Sequence, residues 1–279
     1  MNTITSCRPL LGTLVEVSAT HDADEDSLIE GVRAAFSEIE RIQRCMSFHD
    51  PESELSRINR EAHTRPIPLS PDMEQILRFS GQLFAHTEGA YDITMAPLLV
   101  ERGLLPRHDF LRSAPEADWS DIHIMDGHIQ CRRPLFIDLG GVAKGYAVDR
   151  AVEALSDFDD VTVNAGGDLR MSCWDNRTIR LRNPADGRID EEDEYLMRNT
   201  AVATSASYFL NQQAAIYSPF SRKAVEGHHS VSVFASTCMV ADAMTKVAFL
   251  MPDPEPVLNR YGASLLSLRS PVGATFHAG

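Results

Sequence analysis

Six apolar residues, Leu28, Val32, Phe36, Ile39, Ile42 and Met46, recur at spacings of three and four. The spacing predicts one long helix with a continuous apolar face, and a folded chain has to cover such a face. Before it, residues 14–19 alternate apolar and polar as a half-buried strand does, and Asp22 to Asp26 make an acidic turn at the helix start. Pro51 is placed in the first turn of a short helix through Leu55 and Ile58, and Ser70 is the N-cap of a helix opened by Pro71. Further helices are predicted after Pro97, along Val148, Val152 and Leu155, and along Val240, Met244, Val247 and Leu250. Short strands are predicted between residues 122 and 137 around an Asp126-Gly127 turn, and at 161–163, 230–234 and 264–268. Residues 183–195 read as polar, acidic and turn-like. Helices and strands mix without a clean βαβ alternation, so the expected fold is α+β: one globular domain with mixed or antiparallel sheets flanked by helices. Loop signals gather at residues 103–120, but no composition shift there marks a second domain.

The chain has 279 residues, enough to bury a sizeable core without disulfides. Forty acidic residues against 26 basic ones give a formal charge of −14, which repels a nucleic-acid backbone. An anionic ligand must therefore be held locally, by backbone N–H groups, a lone cation or a metal. Cys7, Cys45, Cys131, Cys173 and Cys238 are odd in number, scattered and without a CxxC pair, so they read as reduced thiols. The N-terminal residues lack an apolar signal-peptide core, and no run reaches the roughly 20 apolar residues of a membrane span. These features predict a cytoplasmic location.

Four segments carry chemistry. In Ile137-Asp138-Leu139-Gly140-Gly141-Val142-Ala143-Lys144 a strand is predicted to end in two glycines as a helix begins. Backbone N–H groups at a helix N-terminus, with Lys144 beside them, suit a phosphate; a tight turn with a surface lysine has the same spelling. Asn164-Ala165-Gly166-Gly167-Asp168 is a second glycine pair, either a cleft wall or a hairpin turn. In Ala241-Asp242-Ala243-Met244-Thr245-Lys246, Asp242 and Lys246 share a helix face with Thr245 next to it. A carboxylate and a hydroxyl one turn apart suit Mg²⁺, and an exposed ion pair is the plainer reading. Gly89-Ala90-Tyr91-Asp92-Ile93-Thr94 places an aromatic ring and a carboxylate on a tight turn, where they suit a flat ligand or form a buried tyrosine and a helix cap.

These segments, in this order, resemble the ApbE family of FAD:protein FMN transferases. The resemblance extends to Arg8-Pro9-Leu10-Leu11-Gly12-Thr13, Met46-Ser47-Phe48-His49-Asp50-Pro51 and Ala203-Thr204-Ser205, and so covers nearly the whole chain. It implies an enzyme that splits the pyrophosphate of FAD and passes FMN to a Thr or Ser hydroxyl of an acceptor protein, with AMP as leaving group and Mg²⁺ required. By the same resemblance Leu11 lines the flavin pocket, and His49 stands where many members stack an aromatic ring. Ala90, Tyr91, Asp92 and Lys144 contact FAD, with Gly166 and Gly167 on the second turn of the cleft. The metal falls to the Ala143 carbonyl, Asp242 and a side chain one turn later. Asp242, Lys246 and Lys144 are the implied catalytic set.

The sequence departs from the family at two places. Four residues after Asp242 the family usually has Thr; here Lys246 stands there, and the nearest hydroxyl is Thr245. The family's His-x-x-Asp-Pro stretch is matched by Ala215-Ile216-Tyr217-Ser218-Pro219, so the His and the Asp are replaced. A general base typically contributes 10²–10⁴-fold, so this loss slows transfer severely unless another group serves, with His228 or His229 as a candidate. The alternative functions are a flavin-binding protein impaired in transfer and a slow FAD pyrophosphatase.

Overall fold

The computed structural model describes residues 1–22, 24–110, 117–182, 189–206, 216–225 and 229–269. The chain begins with an antiparallel hairpin, β1 (Asn2–Leu10) and β2 (Thr13–His21), turned through Leu11 and Gly12 at φ +55° and +72°. β1 is not predicted from the sequence: it is a polar edge strand containing Pro9, a residue tolerated at an edge. α1 (Glu25–Met46) follows, capped by Asp24, which accepts from Ser27 N at 2.9 Å, and buries the six expected residues with Ala35.

α2 (Glu54–Glu61) starts later than expected, because Ser53 rather than Pro51 opens it; the Ser53 hydroxyl accepts from Ser56 N. β3 (Ile67–Pro68) leads to α3 (Pro71–His86), capped by Ser70 as its spelling predicts. α4 (Ala96–Glu101) begins one residue before Pro97. β4 (Ile122–Met125) and β5 (His128–Cys131) turn through Asp126 and Gly127 and join β3 in a small antiparallel sheet.

The expected strand into Gly140 is absent: residues 134–139 form no regular element and pair with no sheet. A side chain takes the place of a ladder. Asn59, buried on α2, donates to Ile137 O at 2.9 Å and accepts from Ile137 N at 2.8 Å. Asn59→Ala would leave both groups unpaired in the interior, an expected loss of about 2–4 kcal/mol in denaturant unfolding. A loss below about 0.5 kcal/mol would mean water replaces the amide.

α5 (Ala143–Glu153) is followed by β6 (Asp160–Ala165) and β7 (Asp168–Met171), a hairpin turned by Gly166 and Gly167 at φ +65° and +107°. The hairpin reading of this glycine pair is therefore the one the backbone adopts. β8 (Thr178–Arg182) and β9 (Ile189–Leu196) form a ribbon of their own. Of the expected acidic turn, residues 189–195 are strand and 183–188 lie outside the described residues; Arg180 faces Glu194 across the ribbon at 2.8 Å. β10 (Ala201–Ala206), β11 (His229–Ala235), α6 (Cys238–Leu250), α7 (Glu255–Arg260) and β12 (Ser264–Arg269) complete the chain.

The main sheet has seven strands in the order β1-β2-β6-β7-β10-β11-β12, with every pairing antiparallel. Along β10 and β11 alternate side chains separate two cores. Ala201, Ala203, Val231 and Val233 join the main core under α1, α5 and α6, whereas Val202 and Phe234 meet Met171 and Met197 on the other face. The result is the expected α+β domain with antiparallel sheets. All five cysteines are free, and among the described residues no helix is long and apolar enough to cross a membrane.

Candidate functional site

The site forms where α5 and α6 cross above one end of the main sheet. Their contact depends on Gly145: a Cβ there would lie 2.3 Å from Cys238 O and 2.9 Å from Asp242 Cβ. The start of α6 is held by Asp149, which accepts from Cys238 N and Met239 N, each at 2.8 Å, and pairs with Arg170. Burial still pushes the Asp149 carboxyl upward, in spite of Arg170 and the two N–H groups.

Asp242, at 0% exposure, stands at the centre of this crossing. It accepts from Gly145 N at 3.3 Å and pairs with Lys246 one turn later. Lys144, in the first turn of α5, pairs with buried Asp168 at the start of β7. Two carboxylates and two ammonium groups thus share one cluster. Burial works against the charge of Asp242, but Lys246 and Lys144 outweigh it and hold the carboxyl below its ordinary value. Burial likewise opposes the Lys144 charge, and Asp242 and Asp168 reverse that, placing Lys144 well above the usual lysine range. Asp168 is pushed up by burial and by Asp242.

The cluster borders a cavity of about 420 Å³ lined by Tyr91, Asp92, Asp138, Lys144, Ser205 and Lys246, with Met95, Leu99 and Leu104 as apolar wall. A second cavity of about 650 Å³ shares Asp92, Met95 and Pro219 with it. The short 3₁₀ turn after Asp92 is capped by that residue, whose Oδ1 accepts from Thr94 N at 2.8 Å. Burial pushes Asp92 up to about 6, against the Thr94 hydrogen bonds that favour its charged form. Such a carboxyl binds its proton more tightly folded than unfolded. Its contribution to stability is full below about pH 4 and is lost as pH rises through about 6. Asp92→Asn, which imitates the protonated form, should leave the thermal midpoint unchanged near pH 4. At neutral pH it should raise stability by up to about 3 kcal/mol. A difference between variant and parent that is flat with pH would contradict this.

Of the residues singled out from sequence, Tyr91, Asp92, Lys144 and Lys246 line the smaller cavity, and Asp242 sits directly behind Lys246. Ala90 is buried beside Tyr91. Gly166 packs against Thr13, where a Cβ would meet its Oγ1 at 2.4 Å, so Gly166–Gly167 and Leu11 share one end of the sheet without lining either cavity. Leu11 N donates to Gln43 Oε1 at 2.6 Å. His49 is exposed and lines neither cavity. Ala215 and His228 lie outside the described residues, and so does the side chain of His229. Asp138, Asp168 and Ser205 belong to the site but are not among the residues singled out. Asp168 carried a legible signal, as a carboxylate directly after a glycine pair; Ser205 reaches the site only because β10 runs beside β7.

The donor set does not fit the implied Mg²⁺. The position beside the Asp242 carboxylate is taken by the Lys246 ammonium. The Thr245 hydroxyl, fully buried, donates to Asp242 O at 2.7 Å and lies 2.7 Å from Ser205 Oγ. Among the described residues no three His, Cys, Asp or Glu side chains converge on one point.

The fold is thus an antiparallel α+β domain with a charged cavity beside two packed helices. The sequence profile of the ApbE family matches residues 11–261, and the chain belongs to that family. Its relatives include the FAD:protein FMN transferase of Chlamydia pneumoniae, 29% identical over 86% of this chain and 80% of that one. The enzyme of the same name from Vibrio cholerae serotype O1 is 24% identical over 76% of this chain and 71% of its own. Among solved structures, the ApbE protein of Thermotoga maritima superposes with a TM-score of 0.81 at 24% identity, covering 95% of this chain and 94% of that one. The flavin transferase ApbE from Vibrio cholerae has a TM-score of 0.79 at 23% identity, covering 95% and 93%.

Proposed function

We propose that this chain is an FAD:protein FMN transferase. The observation that carries the reading is the Lys144–Asp168 and Asp242–Lys246 cluster in the wall of the 420 Å³ cavity, at the N-terminus of α5. On an acidic chain this is where a pyrophosphate finds cations, and the dipole of α5 adds to the attraction. Membership of the ApbE family and the names of the curated relatives support the same activity.

In this reaction the oxygen of a Thr or Ser hydroxyl on the acceptor attacks the FMN-side phosphorus of FAD. A phosphoester bond forms, the anhydride bond breaks, and AMP departs with the bridging oxygen. Lys144 and Lys246 bind the phosphates and neutralise charge that grows on them in the transition state. Tyr91 and the apolar wall of Met95, Leu99 and Leu104 pack against the flavin. Asp92, on the wall common to both cavities and ionised above about pH 6, takes the hydroxyl proton. Leu11 and His49 are assigned to the flavin on the family resemblance alone, and Gly166 and Gly167 as the second glycine turn beside the cleft. The test is incubation with FAD and an acceptor protein that a curated relative flavinylates. Flavin fluorescence that stays with the acceptor through denaturation is the expected result, and its absence with a folded, FAD-bound chain would overturn the assignment.

A further inference from the structure

We infer that the Lys246 ammonium serves as a built-in cation for the pyrophosphate, so that FAD binding by this chain needs no divalent metal. The inference rests on the flavin reading above. It follows from how the cluster is filled. Lys246 Nζ pairs with the Asp242 carboxylate and also donates to Asp242 O at 3.1 Å. An ammonium has three N–H donors, so one remains for a ligand. The side chain is 17% exposed and lines the 420 Å³ cavity, whereas Asp242 behind it has no exposure. The lysine stem runs along Gly141, whose Cβ position lies 3.6–3.8 Å from its carbons.

The hydroxyl that would otherwise complete an oxygen set is engaged elsewhere, since Thr245 bonds to Asp242 O and to Ser205. Charge completes the argument. Asp168 pairs with Lys144 and Asp242 with Lys246, while Asp92 and Asp138 line the cavity beside them. A divalent ion at Asp242 would sit against an ammonium in a low-dielectric wall, where like charges repel strongly. A bound pyrophosphate supplies negative charge to the same two ammonium groups.

The test is FAD binding to the full chain, followed by flavin fluorescence in EDTA and in millimolar MgCl₂, together with the thermal midpoint in MgCl₂ without FAD. The unaltered chain should bind FAD with Kd values that agree within about twofold in the two solutions, because the ammonium needs no metal. MgCl₂ alone should not move its midpoint. Lys246→Met should weaken binding roughly 10- to 100-fold, the range for losing a charged hydrogen bond. Lys246→Thr, which exchanges the cation for an oxygen donor, should bind weakly in EDTA and recover in MgCl₂. FAD binding by the unaltered chain only when Mg²⁺ is present would overturn the inference and leave the flavin reading intact, and so would unchanged affinity in Lys246→Met. A folded chain that binds no FAD in either solution would overturn the flavin reading. In that case the midpoint still decides the cation question, because stabilisation of the unaltered chain by MgCl₂ alone contradicts a site filled by lysine. Should the variants fail to fold, the comparison on the unaltered chain is sufficient.

Discussion

Asp242→Ala is expected to lower FMN transfer at least roughly a hundredfold and to destabilise the fold by about 3–5 kcal/mol. The two effects share a cause. Asp242 is the carboxylate against which Lys246 is positioned, and its removal leaves that ammonium partly buried with only a carbonyl partner. Lys144 loses one of the two carboxylates that sustain its charge. The Gly145 N–H also loses its acceptor from α6. AMP release and the denaturation midpoint measure the two losses separately. Asp242→Asn keeps the shape and an oxygen for Gly145 but not the charge, so it should recover part of the stability and little of the activity. Full transfer in Asp242→Ala would remove this residue from the site.

Gly145→Ala is the second large effect. The added methyl would approach a backbone carbonyl, Cys238 O, at 2.3 Å, and backbone cannot swing aside as a side chain can. Helices α5 and α6 would have to separate, at a cost at or above the upper end of the 1–3 kcal/mol typical of overpacking. Separation also moves Lys144 and Asp242, which flank the contact, so transfer should fall together with thermal stability. Gly141→Ala is the control for stability. Its methyl would meet only the Lys246 stem at ordinary contact distance, so the melting temperature should change by no more than about 0.5 kcal/mol equivalent. Equal losses in the two variants would mean that the helix crossing is looser than described.

The legible parts of this fold are those where one face of an element decides its burial. The periodicity of α1, the acidic turn before it and the Ser70 cap are readable because each is local. β1 and β9 are not, because the polar sequence of an edge strand and the acidic run Asp190–Glu194 show no apolar alternation to reveal them. The segment before Gly140 reads as a strand from its apolar run, yet Ile137 bonds to Asn59, 78 residues away in sequence, and Asp138 N to Ile93 O. The site shows the same division. Asp242 and Lys246 are visibly paired by spacing, but spacing alone suggests an exposed pair. The surrounding Val240, Ala241, Ala243, Met244 and Val247 make α6 apolar on nearly all sides, and that is the signal that the pair is buried. The partnership of Lys144 with Asp168 has no such signal, because it arises only when the β6–β7 hairpin brings the second carboxylate under α5.

The most direct test of the central claim is the stoichiometry of products from FAD labelled on the AMP phosphate, incubated with the chain and a flavinylation acceptor. The account predicts that each AMP released is matched by one flavin bound covalently to a Thr or Ser of the acceptor. AMP accumulating with free FMN and an unlabelled acceptor would identify water as the attacking group and contradict the transferase assignment.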